Sequence, residues 1–339
     1  MINAAIIGLG RWGQNLVNSV QGKSDIIRFV AGWNRTQDKA REFATRQGIA
    51  VRDSYAAVLA DPKIDAVVLA TPHSAHGDEI VAAARAGKHI FCEKPLTLDL
   101  ASAERAIRAC ADSKVTLAVG YNWRFQPALQ AIKAMLDDGR LGKLLHIEGN
   151  FCGPSVYRFD EAHWRNDRDE GPGGGMTGRG VHIVDAMLYL SGHVDSVFAQ
   201  SARRVMPSGL DDTTSMLLKF RGGSSGYLAT VIATAETWRM QVFGSKGWAE
   251  VGEAEHLTTW ELRTCFIDQT NLFKPNKAQT TRFETLSTER AELEHFARAA
   301  AEKRPLAVPG GDEQHGVSVF EAILASAKQG RSVGVPLGS

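Results

Sequence analysis

The stretch "AAIIGLGRWG", Ala4 to Gly13, ends an apolar run at Gly8 and sets Gly8, Gly10 and Gly13 at G-x-G-x-x-G spacing. A short apolar run closed by glycine predicts a buried strand, and the residues after it predict a helix. Each glycine has a job in such a turn. Gly8 makes the tight bend, Gly10 lets the backbone approach a pyrophosphate, and Gly13 allows the helix to pack on the strand, with the phosphates at the positive helix N-terminus. A glycine-rich turn without a ligand is the bland alternative, and the strand-turn-helix context argues against it. Leu9, Arg11 and Trp12, inside the same turn, join the predicted cofactor-binding set. About twenty residues on, where an NAD enzyme places an acid on the adenine ribose, the chain reads "GWNRT", Gly32 to Thr36. Asn34 can hydrogen-bond a 2′-phosphate or hydroxyl, Arg35 can pair with a phosphate and stack on adenine, and Thr36 can add a hydroxyl. This set favours NADP(H). NAD(H) is the alternative, with Asn34 on a ribose diol and Arg35 solvated.

Outward from this turn, residues 1–121 alternate apolar runs such as "DAVVLAT", "KHIFCEK" and "VTLAVGY" with alanine-rich helical segments. That alternation predicts an N-terminal α/β Rossmann domain with a doubly wound parallel sheet. From residue 122 to residue 339 the pattern changes. Consecutive period-two segments, among them "TTSMLLKF" and "WRMQVFGSKGWAEV", predict an α+β domain with a large open, mostly antiparallel sheet. The length of 339 residues suits two cores rather than one.

Composition narrows the partners. With 39 basic and 38 acidic residues the formal net charge is +1, which leaves no electrostatic footprint for nucleic acid or an anionic membrane and favours a small-molecule partner. No segment reaches the roughly 18 uncharged apolar residues of a membrane span, and "MINAAIIGLG" has no features of a secretion signal. A cytoplasmic protein is expected. Cys92, Cys110, Cys152 and Cys265 form no C-x-x-C pair, and His73 with His76 alone is too few ligands, so no metal is expected.

Two further motifs leave predicted strand ends, where an open α/β sheet binds ligands: "ATPHSAH", Ala70 to His76, and "CEKPL", Cys92 to Leu96. A lone lysine is normally a solvated cation. At a strand end beside a cofactor, however, burial and the positive nicotinamide lower a lysine's pKa and let it trade a proton with a substrate hydroxyl, which singles out Lys94. Later, "GPGGGMTGRGVHIVD", Gly171 to Asp185, puts six glycines into its first ten residues before a helix that carries His182 and Asp185. Those glycines are expected to let the backbone pass close beneath cofactor and substrate.

In order, "GLGRWG", "TPHSAH", "EKP", "YNWRFQPAL", "GRLGKL", "HWR", "GGGMTGRGVHIVD" and "GSKGWAEV" resemble, over essentially the whole chain, the glucose-fructose oxidoreductase/inositol dehydrogenase/rhizopine-catabolism (Gfo/Idh/MocA) family. The resemblance implies a homodimer or homotetramer formed through the C-terminal sheet. It implies hydride transfer between nicotinamide C4 and a ring hydroxyl or ketone of a sugar, cyclitol or related molecule. Lys94 then matches the lysine that orients the nicotinamide and relays the proton, with Glu93 beside it at the cofactor. His182 matches the catalytic histidine, and Asp185 an aspartate that orients it or a substrate hydroxyl. Thr71, Pro72, His73 and His76 would line the cofactor. Tyr121 and Asn122 would reach substrate or nicotinamide, His163, Trp164 and Arg165 would face the substrate, and Arg124 would either contact the substrate or form a domain-packing ion pair. The family often carries an aspartate four residues before the histidine, and here that position is Gly178. This departure keeps two other classes open: a dinucleotide-binding regulator without turnover, and an enzyme that uses a transient oxidation for elimination or hydrolysis.

Overall fold

The computed structural model describes residues 1–36, 38–158, 163–206, 209–253, 259–306 and 313–337. The chain divides into two compact units, one of Met1–Asn122 with Ser287–Gln314, the other of Trp123–Leu286 with His315–Ser339.

In the first unit β1 (Ile2–Ile7), β2 (Ile27–Trp33), β3 (Ala50–Val51), β4 (Ala66–Leu69), β5 (His89–Cys92) and β6 (Leu117–Val119) form a six-stranded sheet of order β3-β2-β1-β4-β5-β6. Every neighbouring pair is parallel. All of β4 is buried, as expected of a parallel strand covered on both faces, which explains its unbroken apolar reading. Helices α1 (Arg11–Val20), α2 (Asp38–Arg46), α3 (Tyr55–Ala60), α4 (His76–Arg85) and α5 (Leu100–Asp112) make the crossovers. Local caps set their starts. The Ser54 hydroxyl accepts from the Ala57 N–H before α3, and Asp99 accepts from the Ser102 N–H before α5. The strand order reverses between β1 and β4, so the segments leaving the carboxyl ends of β1, β4 and β5 gather at the switch point where such sheets bind ligands.

In the second unit α6 (Pro127–Asp137) leads to β7 (Leu144–Cys152), then to α7 (Val181–Ser191) and to β8 (Val194–Ala202), β9 (Thr213–Phe220), β10 (Ser225–Val231), β11 (Thr237–Gly244), β12 (Gly247–Val251), β13 (Glu261–Phe266) and β14 (Gln279–Arg282). After them come α8 (Thr288–Ala301), α9 (Glu313–Gln329) and β15 (Val333–Gly334). The nine-stranded sheet has the order β14-β13-β12-β11-β7-β10-β9-β8-β15, antiparallel throughout except where β10 runs parallel to β7. Helix α7 lies directly on this sheet: a Cβ built at Gly149 of β7 would stand 2.4 Å from Ile183 Cγ2. That contact leaves room for no side chain at Gly149.

The chain does not divide once at residues 121 and 122, as the change of pattern suggests. Helix α8 returns to the first unit, where Leu293, Phe296, Ala297, Ala299 and Ala300 join a core with Ala4, Ile6, Leu16, Phe29 and Phe91. The Phe296 ring meets Phe91 edge-on at 5.8 Å between centroids. The apolar face of α8 therefore completes the covering of the parallel sheet. Phe296→Ala should lower stability by about 3–5 kcal/mol in urea unfolding. A loss below about 1 kcal/mol would mean that α8 does not belong to that core.

Candidate functional site

The turn after β1 is set by backbone crowding. Gly8 has φ +95°, and a Cβ there would lie 2.4 Å from the Ala70 carbonyl oxygen; a Cβ at Gly13 would lie 1.9 Å from the Gly8 carbonyl oxygen. Neither position accepts another residue. At Gly10 an added Cβ meets nothing within 4 Å, so the space above the turn is open where a pyrophosphate would approach the start of α1. The turn fits a dinucleotide.

Asn34 holds this turn from the side. Its amide oxygen accepts from the Leu9 N–H at 3.1 Å, and its amide nitrogen donates to the Thr36 carbonyl at 2.7 Å. Instead of standing ready for a ribose or phosphate, the Asn34 side chain ties the phosphate turn to the end of β2. Arg35 and Thr36 are exposed beside it, as is Arg11.

The segments after β4 and β5 are joined by one imidazole. His76 is wholly buried, with Nδ1 2.9 Å from the Pro95 carbonyl and Nε2 3.2 Å from the Thr71 carbonyl. It thus packs between the "TPHSAH" and "EKP" segments, donating to one of the two carbonyls from whichever nitrogen carries the proton, where a cofactor-lining role is expected from the sequence. Thr71 donates its hydroxyl to Glu79 Oε2 at 2.6 Å, and burial pushes the Glu79 carboxyl up to about 7 against that hydrogen bond. Pro72 and His73 are partly exposed, and the ring of His73 stands 5.9 Å from that of His76. Lys94 is half-buried, and the Lys94–Pro95 bond is cis. The Glu93 carboxyl is buried and held above the usual carboxylate range by desolvation, while the Trp12 indole N–H and the Lys94 charge pull it down. Tyr121 is buried. Asn122 is 1% exposed, with its amide nitrogen 3.4 Å from the Thr288 hydroxyl, so it packs against α8 rather than opening to a cofactor.

In the second unit the glycine-rich segment is not a plain loop. Residues Met176–Gly180 wind into a π-helical turn that runs into α7, and an added Cβ at Gly178 meets nothing within 4 Å. His182 follows in the first turn of α7. Its imidazole stacks on Trp123 at 5.1 Å and 18° between planes, and Trp123 in turn packs 4.4 Å from Trp238 and 5.3 Å from Phe151. Trp123 and Trp238 are fully buried, so the aromatic wall that orients His182 cannot swing away. Trp123 was hidden within the "NWRF" motif, where a tryptophan reads as ordinary core.

Asp185, one turn further along α7, is locked by Arg124. Arg124 Nε lies 2.8 Å from Oδ2 and NH2 lies 2.6 Å from Oδ1, with both side chains almost fully buried. Burial pushes the Asp185 carboxyl up and the guanidinium opposes it. The contact is made at two points, and removing the carboxylate would strand the buried guanidinium at a cost of about 3–5 kcal/mol. Arg124 also stands 5.3 Å over the Tyr189 ring. The geometry makes Arg124 and Asp185 a scaffold for the first turns of α7, which is the ion-pair alternative for Arg124. His163, Trp164 and Arg165 form a separate stack, with the Arg165 guanidinium 4.1 Å over the indole and His163 Nδ1 accepting from the Arg165 N–H.

Among the described residues no three His, Cys, Asp or Glu side chains are placed to hold a metal ion, and no helix is long and apolar enough to cross a membrane.

Residues 2–121 match the profile of an oxidoreductase family with an NAD-binding Rossmann fold, GFO_IDH_MocA, and residues 129–250 match the GFO/IDH/MocA C-terminal domain. The chain is 30% identical to a myo-inositol 2-dehydrogenase of Thermotoga maritima over 71% of this chain and 72% of that one. It is 29% identical to an inositol 2-dehydrogenase of Rhizobium meliloti over 98% and 99%. A crystal structure of an aldose-aldose oxidoreductase from Caulobacter crescentus superimposes with a TM-score of 0.86 at 26% identity, covering 98% of this chain and 99% of that one.

The Thr71–Glu79 contact is testable by its pH dependence. The Glu79 pKa is raised on folding, so its contribution to stability is complete below the unfolded value near 4.3 and is lost as pH rises through about 7. Replacing Glu79 by Gln removes this titration. Between about pH 5 and pH 8 the urea stability of Glu79→Gln relative to the parent should therefore improve by about 2 kcal/mol. A difference that stays constant with pH would contradict the buried placement.

The open phosphate turn, the motif segments after β4 and β5, and the matches to both domains lead to one conclusion: the chain belongs to the GFO/IDH/MocA family and is an NAD(P)-dependent oxidoreductase.

Proposed function

We propose that the protein oxidises a ring hydroxyl of a sugar or cyclitol, or reduces the matching ketone, with NADP(H) preferred over NAD(H). The observation that carries this reading is the pairing of an open, glycine-crowded phosphate turn with a half-buried Lys94 at the end of β5. The dinucleotide supplies the hydride acceptor or donor at nicotinamide C4. Gly8 to Gly13 and the N-terminus of α1 hold the pyrophosphate. Arg35, exposed beside the braced Asn34, pairs with a 2′-phosphate, where an acid would have accepted from a ribose diol. Lys94 Nζ orients the nicotinamide and relays a proton. The His182 imidazole, held flat against Trp123, takes the proton of the substrate hydroxyl in oxidation and returns it in reduction. Fixed orientation of these groups is the main contribution asked of the protein.

We also propose a cytoplasmic homo-oligomer assembled through the open face of the nine-stranded sheet. The four cysteines are free and buried, which suits a reducing compartment. Leu217 of β9 and Tyr227 of β10 are cross-strand neighbours, 57% and 40% exposed. They form an apolar centre of the kind a partner subunit covers.

Lys94→Ala should bind cofactor with nearly the parent affinity in a fluorescence titration while turnover falls by about 10²–10⁴; turnover near the parent value would remove Lys94 from the chemistry. In competing titrations NADPH should bind more tightly than NADH, and Arg35→Ala should erase the difference. Tighter NADH binding by the parent would overturn the preference. Light scattering should give a dimer or tetramer mass that Tyr227→Lys lowers, and a monomer at micromolar concentration would contradict the assembly.

A further inference from the structure

Arg179 lies in the π-helical turn, three residues before His182, and is half-buried. Its guanidinium carbon stands 4.6 Å over the Phe151 ring, and the same ring is 6.1 Å from the His182 imidazole between centroids. The cation and the imidazole therefore share one aromatic neighbour. Arg179 Nε donates to the Ser155 hydroxyl at 3.1 Å and NH1 to the Cys152 carbonyl at 2.7 Å. Both acceptors are neutral. Of the five N–H donors of a guanidinium, the others meet no acceptor among the described residues.

The charge has no counter-ion among the described residues either. The adjacent Gly178 brings no side chain. Arg158, whose charge acts on Arg179, already pairs with Glu236. Burial first, and Arg158 second, lower the Arg179 pKa to about 10, the direction expected of a desolvated cation without a carboxylate. A half-buried, uncompensated cation is costly unless something anionic joins it. The side chain is meanwhile held firmly by Ser155, Cys152 and Phe151, as a recognition group has to be.

We propose that Arg179 is a specificity-determining residue that binds the carboxylate of an acidic substrate, so that the polyol this enzyme oxidises is a sugar acid and not a neutral sugar. This rests on the oxidoreductase reading with His182 as the base. The shared contact with Phe151 keeps the guanidinium within reach of the far end of a six-carbon chain whose reacting carbon meets the imidazole. The planar fork of Arg179 suits a carboxylate.

The test is calorimetric titration of the NADP⁺-loaded protein with D-glucuronate, D-galacturonate and D-gluconate, each against its neutral parent, D-glucose, D-galactose or D-sorbitol. At least one acid should bind with a Kd at least about tenfold below that of its parent. Arg179→Gln should raise that Kd by about tenfold or more and leave the neutral parent within about twofold, and Arg179→Lys should retain part of the preference. The proposal is overturned if no acid binds more tightly than its parent, or if Arg179→Gln weakens acid and parent alike, which is the behaviour of a residue that only braces residues 152–155. Failure of the oxidoreductase reading looks different: selective binding of the acid without any change at the NADPH absorbance band.

Discussion

The first unit depends on a steric constraint at a single turn. With the Gly8 carbonyl directly over Gly13 and the Ala70 carbonyl beside Gly8, strand β1, helix α1 and the segment after β4 are brought closer than any side chain would allow. This approach puts the N-terminus of α1 next to Thr71 and leaves Gly10 facing open space. The remaining parts of the dinucleotide site are braces on that arrangement: Asn34 just after β2, and His76 between the Thr71 and Pro95 carbonyls. Residues that looked like cofactor ligands are, in part, what holds the ligand-binding backbone in place.

A similar division of labour holds in the second unit. Helix α7 is buried on nearly every side and sits against Gly149, so its rotation about its own axis is set by packing. The Arg124–Asp185 pair then ties its second turn to the segment before α6, and Trp123, next to Arg124 in sequence, supplies the face on which His182 rests. One short segment thus fixes both the helix and the plane of the imidazole. Orientation of this kind removes rotational freedom before substrate arrives, which is what a positioned base requires.

Much of this was legible in the sequence wherever the constraint is local. The glycine spacing announced the phosphate turn because a tight bend, a close approach and a packed helix are all encoded within six residues. The unbroken apolar runs announced buried parallel strands for the same reason. What escaped depends on distant partners. Asn34 reads as a ribose ligand until Leu9, twenty-five residues earlier, is seen to take its amide oxygen. For Arg124 the sequence leaves substrate contact and ion pair equally open, because nothing in its segment says that Asp185 lies opposite it. The amphipathic pattern of α8 predicts a helix but not which of two cores will take its apolar face, and so the division of the chain was misplaced. Arg179 drew no notice among six glycines because its meaning lies in Phe151 and in the absence of a nearby acid among the described residues, neither of which spacing reveals.

Hydride transfer to a polyol carbon is directly measurable. Reduced cofactor carrying deuterium at nicotinamide C4, incubated with the protein and a set of ketoses, keto-sugar acids and inososes, can be followed by mass spectrometry of the recovered alcohols. One deuterium is expected on the carbon that carried the ketone, in at least one product. Cofactor that binds tightly yet delivers no deuterium to any of them would contradict hydride transfer.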